Sequence, residues 1–116
     1  MRTVAEVMRA PALTVPPTTS LQEASARMLD ARLHAAVLVE DERVCGIVTT
    51  DELSAALARG CDPASTPVAD VAQPDPPLVQ ADEPLAEAHL RMRTAGHMLA
   101  PVVTDDGKPV GLLEDH

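Results

Sequence analysis

The sequence repeats itself at an interval of 64 residues, and this duplication restricts the chain to folds built from two similar halves. The agreement begins where residues 68–71 (VADV) match residues 4–7 (VAEV). It continues through apolar positions, which are Leu21 with Leu85, Ala24 with Ala88, Met28 with Met92 and Val39 with Val103. Gly46 then matches Gly111 one residue late, because the polar turn before the glycine is one residue longer in the second copy.

Both copies predict the same order of elements, β-α-β-β, and the first copy adds a further helix. In the first copy a short extended segment at 13–15 is followed by a helix that opens at Ser20 with capping-box spacing. In the second copy the extended segment is 78–79 and the helix opens with a first-turn proline at Pro84. Two β-rich runs joined by a polar turn then predict hairpins over 36–49 and 101–113. Residues 52–60 predict an amphipathic helix that ends near Gly60, whereas the second copy stops at His116 without this helix.

The repeat divides the chain into a first copy at 1–60, a turn-rich linker at 61–67 and a second copy at 68–116. One unit of about sixty residues buries too little surface to be stable alone. We therefore expect an α+β fold in which two pseudo-symmetric β-α-β-β-α repeats pack sheet to sheet as one domain, the second repeat lacking its final helix.

Composition excludes several classes of function. The chain has no Phe, Trp or Tyr to stack on bases and carries a formal net charge of −9, so nucleic-acid binding is not expected. No apolar run reaches membrane-spanning length, and charge interrupts the N-terminal stretch, which predicts a cytoplasmic protein without membrane contact. In that reducing compartment Cys45 and Cys61 are expected to be free thiols.

Neither catalytic nor metal-binding groups form a pattern in the sequence. No Ser, Cys or Lys has a visible base partner, and no carboxylate pair stands in an apolar setting that would separate two pKa values. The four histidines and two cysteines lack metal-ligand spacing. The sequence therefore predicts a chain that is not an enzyme, holds no metal and requires no cofactor.

The duplicated pattern resembles a tandem pair of CBS domains, the cystathionine-β-synthase-type repeats that form a Bateman module. The resemblance covers essentially the whole chain, and its carriers are residues 4–8 (VAEVM), 20–24 (SLQEA), 37–39 (VLV) and 46–53 (GIVTTDEL). It implies two facing sheets with two clefts that often hold adenine nucleotides or adenosyl compounds. It also implies a regulatory role, and association of two copies through their helices as a homodimer.

The ligand signature of that family is Gly-x-x-Thr/Ser-x-x-Asp, and Gly46, Thr49 and Glu52 occupy its positions here. A carboxylate can hold a ribose cis-diol through two charge-assisted hydrogen bonds. Glu52 is one methylene longer than the usual Asp, so its head group is displaced unless Asp51 substitutes for it. In the second copy Glu114 replaces the hydroxyl residue and the chain ends before the carboxylate position, which predicts that this second site is lost.

The resemblance implies one surviving cleft, lined by Ile47, Thr49, Asp51, Glu52, Pro77, Leu78, His97 and Met98. The expected ligand is an adenosine-type compound such as AMP, ADP, ATP or S-adenosylmethionine. His97 is the only basic residue in the approach to the last hairpin, where phosphate-binding relatives often carry several. Phosphates beside Asp51 and Glu52 would meet repulsion of a few kcal/mol, so we expect weak binding of polyphosphates and better binding of neutral or cationic adenosyl compounds.

Each of these interpretations has a structural alternative. Thr49 and Glu52 also fit the N-cap and first turn of a helix, where threonine and acidic residues are favoured. His34 and His97 occupy equivalent places ahead of the hairpins and are otherwise ordinary loop histidines. The whole chain is alternatively a ligand-free dimerisation or scaffold module, or an accessory subunit whose partner protein supplies an active site.

Overall fold

The computed structural model describes residues 1–115 and contains four α-helices, one short 3₁₀ helix and seven strands there. The helices are α1 (Val4–Val7), α2 (Leu21–Ala31), α3 (Thr50–Ala58) and α4 (Leu85–Ala95), with the 3₁₀ helix at Val68–Asp70. The strands are β1 (Thr14–Val15), β2 (Ala35–Glu40), β3 (Arg43–Thr49), β4 (Gln73–Pro74), β5 (Val79–Gln80), β6 (Leu99–Val103) and β7 (Pro109–Glu114). The first copy thus forms the predicted β-α-β-β-α order and the second forms β-α-β-β, which confirms the α+β fold class.

The strands form two sheets, each within one compact unit. One unit is Leu13–Asp75 and contains a sheet of order β1-β2-β3-β4. The other joins Met1–Ala12 to the chain from Pro76 onward and contains a sheet of order β5-β6-β7. In both sheets the first strand runs parallel to the second, and the second and third form an antiparallel hairpin. The sequence duplication is therefore also a duplication of backbone topology.

Helix α2 packs on the first unit's sheet through one apolar face. The fully buried residues of this face recur at helical spacing and are Leu21, Ala24 and Met28. Ser20 Oγ accepts a hydrogen bond from Glu23 N at 3.1 Å, so Ser20 caps the helix. The reciprocal half of the predicted capping box is absent, and the Glu23 carboxylate instead accepts from Arg27 Nε at 3.1 Å.

The first twelve residues belong to the second unit, where backbone hydrogen bonds hold them. Val4 N donates to the Glu83 carbonyl at 3.0 Å, and Arg9 and Leu112 exchange two backbone hydrogen bonds of 2.9 and 2.8 Å. Val4 is fully buried in this unit's core. The other members of that core are Val79, Ala88, Met92, Ala100, Val102 and Leu113.

The two hairpins close with different turns, as the difference in length predicts. Asp41 and Glu42 both have left-handed backbone, with φ of 52° and 65°, which is the conformation of a two-residue type I′ turn. The longer turn of the second hairpin uses Gly107, with φ of 86°. The first hairpin therefore has two side chains at positions that favour glycine or asparagine.

The residues that follow α2 and α4 align differently from the prediction. Leu33 N and His97 N each donate, at 2.9 Å, to the carbonyl five residues earlier, so Leu33 and His97 are equivalent. His34 then aligns with Met98. The predicted equivalence of His34 and His97 is wrong by one residue, because the length difference between the copies lies within the hairpin turn and not before it.

Candidate functional site

The junction between β3 and α3 is a hydrogen-bonded turn around Thr49 and Glu52. Thr49 N donates to Glu52 Oε1 at 2.8 Å, and Thr49 Oγ1 donates to the same oxygen at 2.9 Å. Thr49 Oγ1 also accepts from Asp51 N at 3.2 Å. The residues at the hydroxyl and carboxylate positions of the family signature thus form a capping box on α3, which is the structural alternative that the sequence left open.

The second carboxylate oxygen of Glu52 is not used by this turn. Both hydrogen bonds end on Oε1, and within residues 1–115 none ends on Oε2. Glu52 is half-buried, whereas the neighbouring Asp51 is exposed. Glu52 can therefore cap the helix and still offer one charged acceptor oxygen to a ligand hydroxyl.

Ile47 lies on the sheet face that turns away from α2 and α3. Val48 packs in the core with residues of both helices, and successive side chains of a strand point to opposite faces. Ile47 is fully buried, and its cross-strand partner on β2 is the buried Val37. Thr49, two residues farther along β3, continues this face. Ile47 therefore lies on the same sheet face as the polar turn, with its side chain buried.

The other four predicted site residues lie in the second unit, ahead of two neighbouring strands. Pro77 and Leu78 precede β5, and His97 and Met98 precede β6. Because β5 and β6 run parallel, these two segments lie at the same edge of their sheet. Pro77 and His97 are half-buried, while Leu78 and Met98 are exposed.

His97 has an unsatisfied polar atom at this edge. Its Nδ1 is buried and has no hydrogen-bond partner in the described part of the chain. A buried polar atom without a partner destabilises a fold, and the equivalent residue of the first copy is the apolar Leu33. Among the described residues, His97 is thus a predicted site residue with a buried polar atom that a ligand could satisfy.

Arg91 brings a positive charge to the same edge. Its Nη2 donates to the Leu78 carbonyl at 2.6 Å, and its guanidinium makes two hydrogen bonds of 3.0 Å with the Glu83 carboxylate. The expectation of His97 as the only basic group near these segments misses this residue. Nothing in the sequence spacing links Arg91 on α4 to Leu78, because their proximity depends on how the helix packs.

The second copy has a different arrangement at the end of β7. Glu114 replaces the hydroxyl residue, as predicted, and Asp115 accepts two hydrogen bonds from Arg93, at 2.7 and 3.1 Å. The hydrogen bond to Asp115 and the charge of that carboxylate raise the pKa of the Arg93 guanidinium. His89 Nε2 lies 3.2 Å from the Glu114 carbonyl oxygen. An ion pair with α4 thus stands where the first copy has its capping box.

Three further observations bear on the chemistry of the chain. Cys45 and Cys61 are free thiols, as predicted, and burial followed by the charge of Glu40 raises the pKa of the Cys45 thiol. Within residues 1–115, no three His, Cys, Asp or Glu side chains are grouped so as to hold a metal ion. None of the helices described is both long enough and apolar enough to cross a bilayer.

Two units of the same topology, each with a parallel strand pair and a hairpin, define the class of paired α+β repeat modules. Known structures share this fold. The CBS domain pair of protein MJ0100, solved in complex with 5′-methylthioadenosine and S-adenosyl-L-methionine, matches with a TM-score of 0.84 at 20% identity, over 97% of this chain and 92% of that chain. The CBS domain protein PAE2072 from Pyrobaculum aerophilum, complexed with AMP, matches with a TM-score of 0.84 at 24% identity, over 97% and 87%.

Sequence comparison identifies the family. The family model for the CBS domain matches residues 4–59 and 68–116, so the chain belongs to the CBS domain family. Among curated proteins, the CBS domain-containing protein CBSCBSPB1 from Arabidopsis thaliana is 32% identical over 115 residues, which is 97% of this chain. The chain spans only 21% of the length of that relative. The resemblance inferred from the repeat is thereby confirmed.

Proposed function

We propose that this chain is a regulatory module that binds an adenosine-type ligand and is not itself an enzyme. The observation that carries the proposal is the Thr49–Glu52 pair, which is fixed at the end of β3 and leaves Glu52 Oε2 without a hydrogen bond within residues 1–115. An oriented, half-buried carboxylate oxygen is suited to accept a hydrogen bond from a ribose hydroxyl. The complexes of related CBS pairs with S-adenosyl-L-methionine, 5′-methylthioadenosine and AMP support the same ligand class.

Charge favours the less anionic members of that class. Asp51 and Glu52 place two carboxylates at the turn, in a chain whose net charge is −9. At the edge formed by residues 77–78 and 97–98, Arg91 adds no unpaired positive charge, since its guanidinium is already paired with Glu83. We therefore expect S-adenosylmethionine, methylthioadenosine and adenosine to bind more tightly than AMP, and ATP to bind most weakly.

Thermal denaturation with a ligand panel tests this proposal. A ligand at a hundred times its dissociation constant adds about 2.7 kcal/mol to the free energy of unfolding. For a chain of this length that is a rise in melting temperature of roughly 10 °C. 2′-Deoxyadenosine is the matched control ligand, because it keeps the base and lacks the cis-diol. If no compound of the panel raises the melting temperature, the proposal is wrong.

The capping box dictates which variant is informative. Glu52→Ala removes both the charge and the cap, so it lowers stability whether or not Glu52 binds a ligand. Glu52→Gln keeps an oxygen that accepts both Thr49 hydrogen bonds and removes only the charge. We expect the melting temperature of ligand-free Glu52→Gln to lie within about 1 °C of that of the unaltered chain. We expect the same variant to bind the adenosine-type ligand at least tenfold more weakly. Unchanged binding would show that the charge of Glu52 does not contribute to the site.

Exposed apolar side chains favour a second candidate function, a module that pairs with another copy or with a partner protein. Leu29 on α2 is 78% exposed, Leu57 on α3 is 51% exposed and Leu90 on α4 is 63% exposed. Contiguous apolar patches at the surface often mark interaction sites, and Leu29 and Leu57 line the same groove between α2 and α3. Light scattering across a hundredfold range of concentration tests self-association. A monomer at every concentration would contradict a homodimer.

A further inference from the structure

The capping box at the start of α3 uses the same carboxylate that the proposed function assigns to the ligand. Glu52 Oε1 accepts hydrogen bonds from Thr49 N at 2.8 Å and from Thr49 Oγ1 at 2.9 Å. Each oxygen of a carboxylate has two lone pairs, so these two donors saturate Oε1. A ligand hydroxyl can therefore bond to Oε1 only when Thr49 gives up a hydrogen bond.

The number of ligand hydroxyls decides whether Thr49 is displaced. A single hydroxyl can donate to Glu52 Oε2, which accepts no hydrogen bond in the described part of the chain, and this leaves the cap intact. A cis-diol presents two donors side by side, and a carboxylate holds such a pair with one oxygen for each donor. The second hydroxyl then competes with Thr49 for Oε1. Glu52 can thus serve either the complete cap or the complete diol.

Three consecutive backbone amides at the start of α3 differ in their dependence on the cap. Thr49 N donates to the Glu52 carboxylate, and Asp51 N donates to Thr49 Oγ1 at 3.2 Å. Thr50 N, between them, donates instead to the His34 carbonyl at 3.0 Å. Opening of the capping box therefore removes the hydrogen bonds of the outer two amides and leaves that of the middle one.

The first turn of α3 also supports the apolar surface on which the second candidate function depends. Leu53 directly follows Glu52 and packs in the core, where it is 5% exposed. Leu57, one turn later, is 51% exposed and lines the groove between α2 and α3 together with Thr50 and Leu53. A less ordered first turn therefore changes the surface around Leu57.

We propose that the cap of α3 is a switch operated by the diol of the ligand. A ligand with a cis-diol takes both oxygens of Glu52 and releases the first turn of α3, whereas a ligand with one hydroxyl binds and leaves that turn capped. The switch rests on the proposed function, since it requires an adenosine-type ligand at Glu52. It works by linkage, because the two kinds of ligand differ in their affinity for the capped and uncapped states.

Adenosine and 2′-deoxyadenosine are the probes, each added at a concentration that saturates the chain in isothermal titration calorimetry. Amide hydrogen exchange is then followed residue by residue by NMR. With adenosine, the Thr49 and Asp51 amides should exchange about fivefold faster than in the free chain, the factor that loss of one helix cap gives. With 2′-deoxyadenosine they should not. The Thr50 amide is the internal reference, because its bond to His34 is not part of the box.

The variant Thr49→Val keeps the shape of the side chain and removes its hydroxyl from the box. It should lower the melting temperature of the free chain by roughly 4 °C, because a cap is lost. It should also strengthen adenosine binding roughly threefold relative to 2′-deoxyadenosine, because adenosine no longer has to break the complete cap. Ser20→Ala is the matched control, since Ser20 Oγ caps α2 by accepting from Glu23 N at 3.1 Å. It should lower the melting temperature similarly and leave the ratio of the two affinities unchanged.

The outcomes separate this switch from the proposed function. If adenosine binds while Thr49 and Asp51 exchange no faster than in the free chain, the switch is wrong and the proposed function stands. Equal acceleration by both nucleosides would also refute the switch, because the diol would then not operate it. So would a Thr49→Val chain that binds both nucleosides more weakly by the same factor, because the hydroxyl would then contact the ligand directly. If neither nucleoside binds, the proposed function fails and the switch fails with it.

Discussion

Gly111 on β7 lies against the backbone of the N-terminal segment, and we expect Gly111→Ala to destabilise the protein. A Cβ at this position would lie 2.7 Å from the Arg9 carbonyl oxygen and 3.1 Å from Met8 Sδ. Ordinary van der Waals contact begins at 3.4 Å. Because the nearest atom belongs to the backbone, it cannot rotate aside as the end of a side chain can, and the whole segment would have to move away from β7.

The size of the effect follows from what that movement disrupts. Arg9 and Leu112 exchange two backbone hydrogen bonds, of 2.9 and 2.8 Å, directly beside the glycine. Each such bond contributes about 1 kcal/mol net, and overpacking itself costs about 1–3 kcal/mol. Alanine has lower conformational entropy than glycine in the unfolded chain, and this offsets about 0.5–1 kcal/mol of the loss. We therefore expect Gly111→Ala to lower the free energy of unfolding by about 2–4 kcal/mol.

Gly46 provides the matched control, because it occupies the same position in the first copy. Its Cβ would lie 3.1 Å from the Gln73 carbonyl oxygen, so the neighbour must yield much less, and we expect Gly46→Ala to cost about 1 kcal/mol or less. Urea denaturation followed by far-UV circular dichroism measures both, since the chain has no Trp or Tyr for fluorescence. A loss at Gly46 equal to or greater than that at Gly111 would refute the reasoning.

Three further predictions concern two hairpin turns and the buried Nδ1 atom of His97. Glu42→Gly should stabilise the protein by about 0.5–1 kcal/mol in urea denaturation, because it gives the left-handed turn the favoured Asp41-Gly pair, and a loss of stability would contradict the type I′ assignment. His97→Leu should add about 1 kcal/mol in the same assay by removing a buried nitrogen without a partner, and no gain would mean that Nδ1 is solvated. The Thr104 hydroxyl donates to the Asp106 carboxylate and lowers the pKa of Asp106 below its ordinary 3.8. The stabilisation by ionised Asp106 is present above pH 3.8 and is lost as the pH falls through the lowered pKa. Between pH 6 and pH 2 the melting temperature should therefore decrease more for the unaltered chain than for Asp106→Asn.

Local elements could be predicted from the sequence because their signals are local. The duplication at 64 residues and the capping residue Ser20 were enough to place α2, α4 and both hairpins near their observed bounds. The polar turn of the second hairpin, which contains Asp106 and Gly107, is one residue longer than that of the first, and this accounted for the late match at Gly111. Apart from the duplication, each of these signals spans fewer than ten residues, over which propensity and turn chemistry act directly.

Long-range placement could not be predicted in the same way. The sequence repeats suggest copies at 1–60 and 68–116, whereas the compact units join Met1–Ala12 to the second copy and residues 61–75 to the first. The short strand β4 and the hydrogen bonds at Arg9 depend on neighbours more than 25 residues distant. Arg91 was missed for the same reason, since a helix residue acquires its contact with the Leu78 carbonyl only after α4 has packed.

The candidate site shows why its role could not be settled from residue types. Thr-x-x-Glu is both the sequence of a capping box and a close variant of the family's ligand signature, and both depend on the same carboxylate. In the free chain Glu52 Oε1 is occupied by Thr49, so a ribose diol that required both oxygens would have to displace the cap and weaken the start of α3 by about 1 kcal/mol. A ligand that uses Oε2 alone avoids this loss but gains only one charge-assisted hydrogen bond. In either case the cap reduces the affinity that Glu52 can contribute, so tight binding would have to come mainly from the apolar and base-contacting parts of the site.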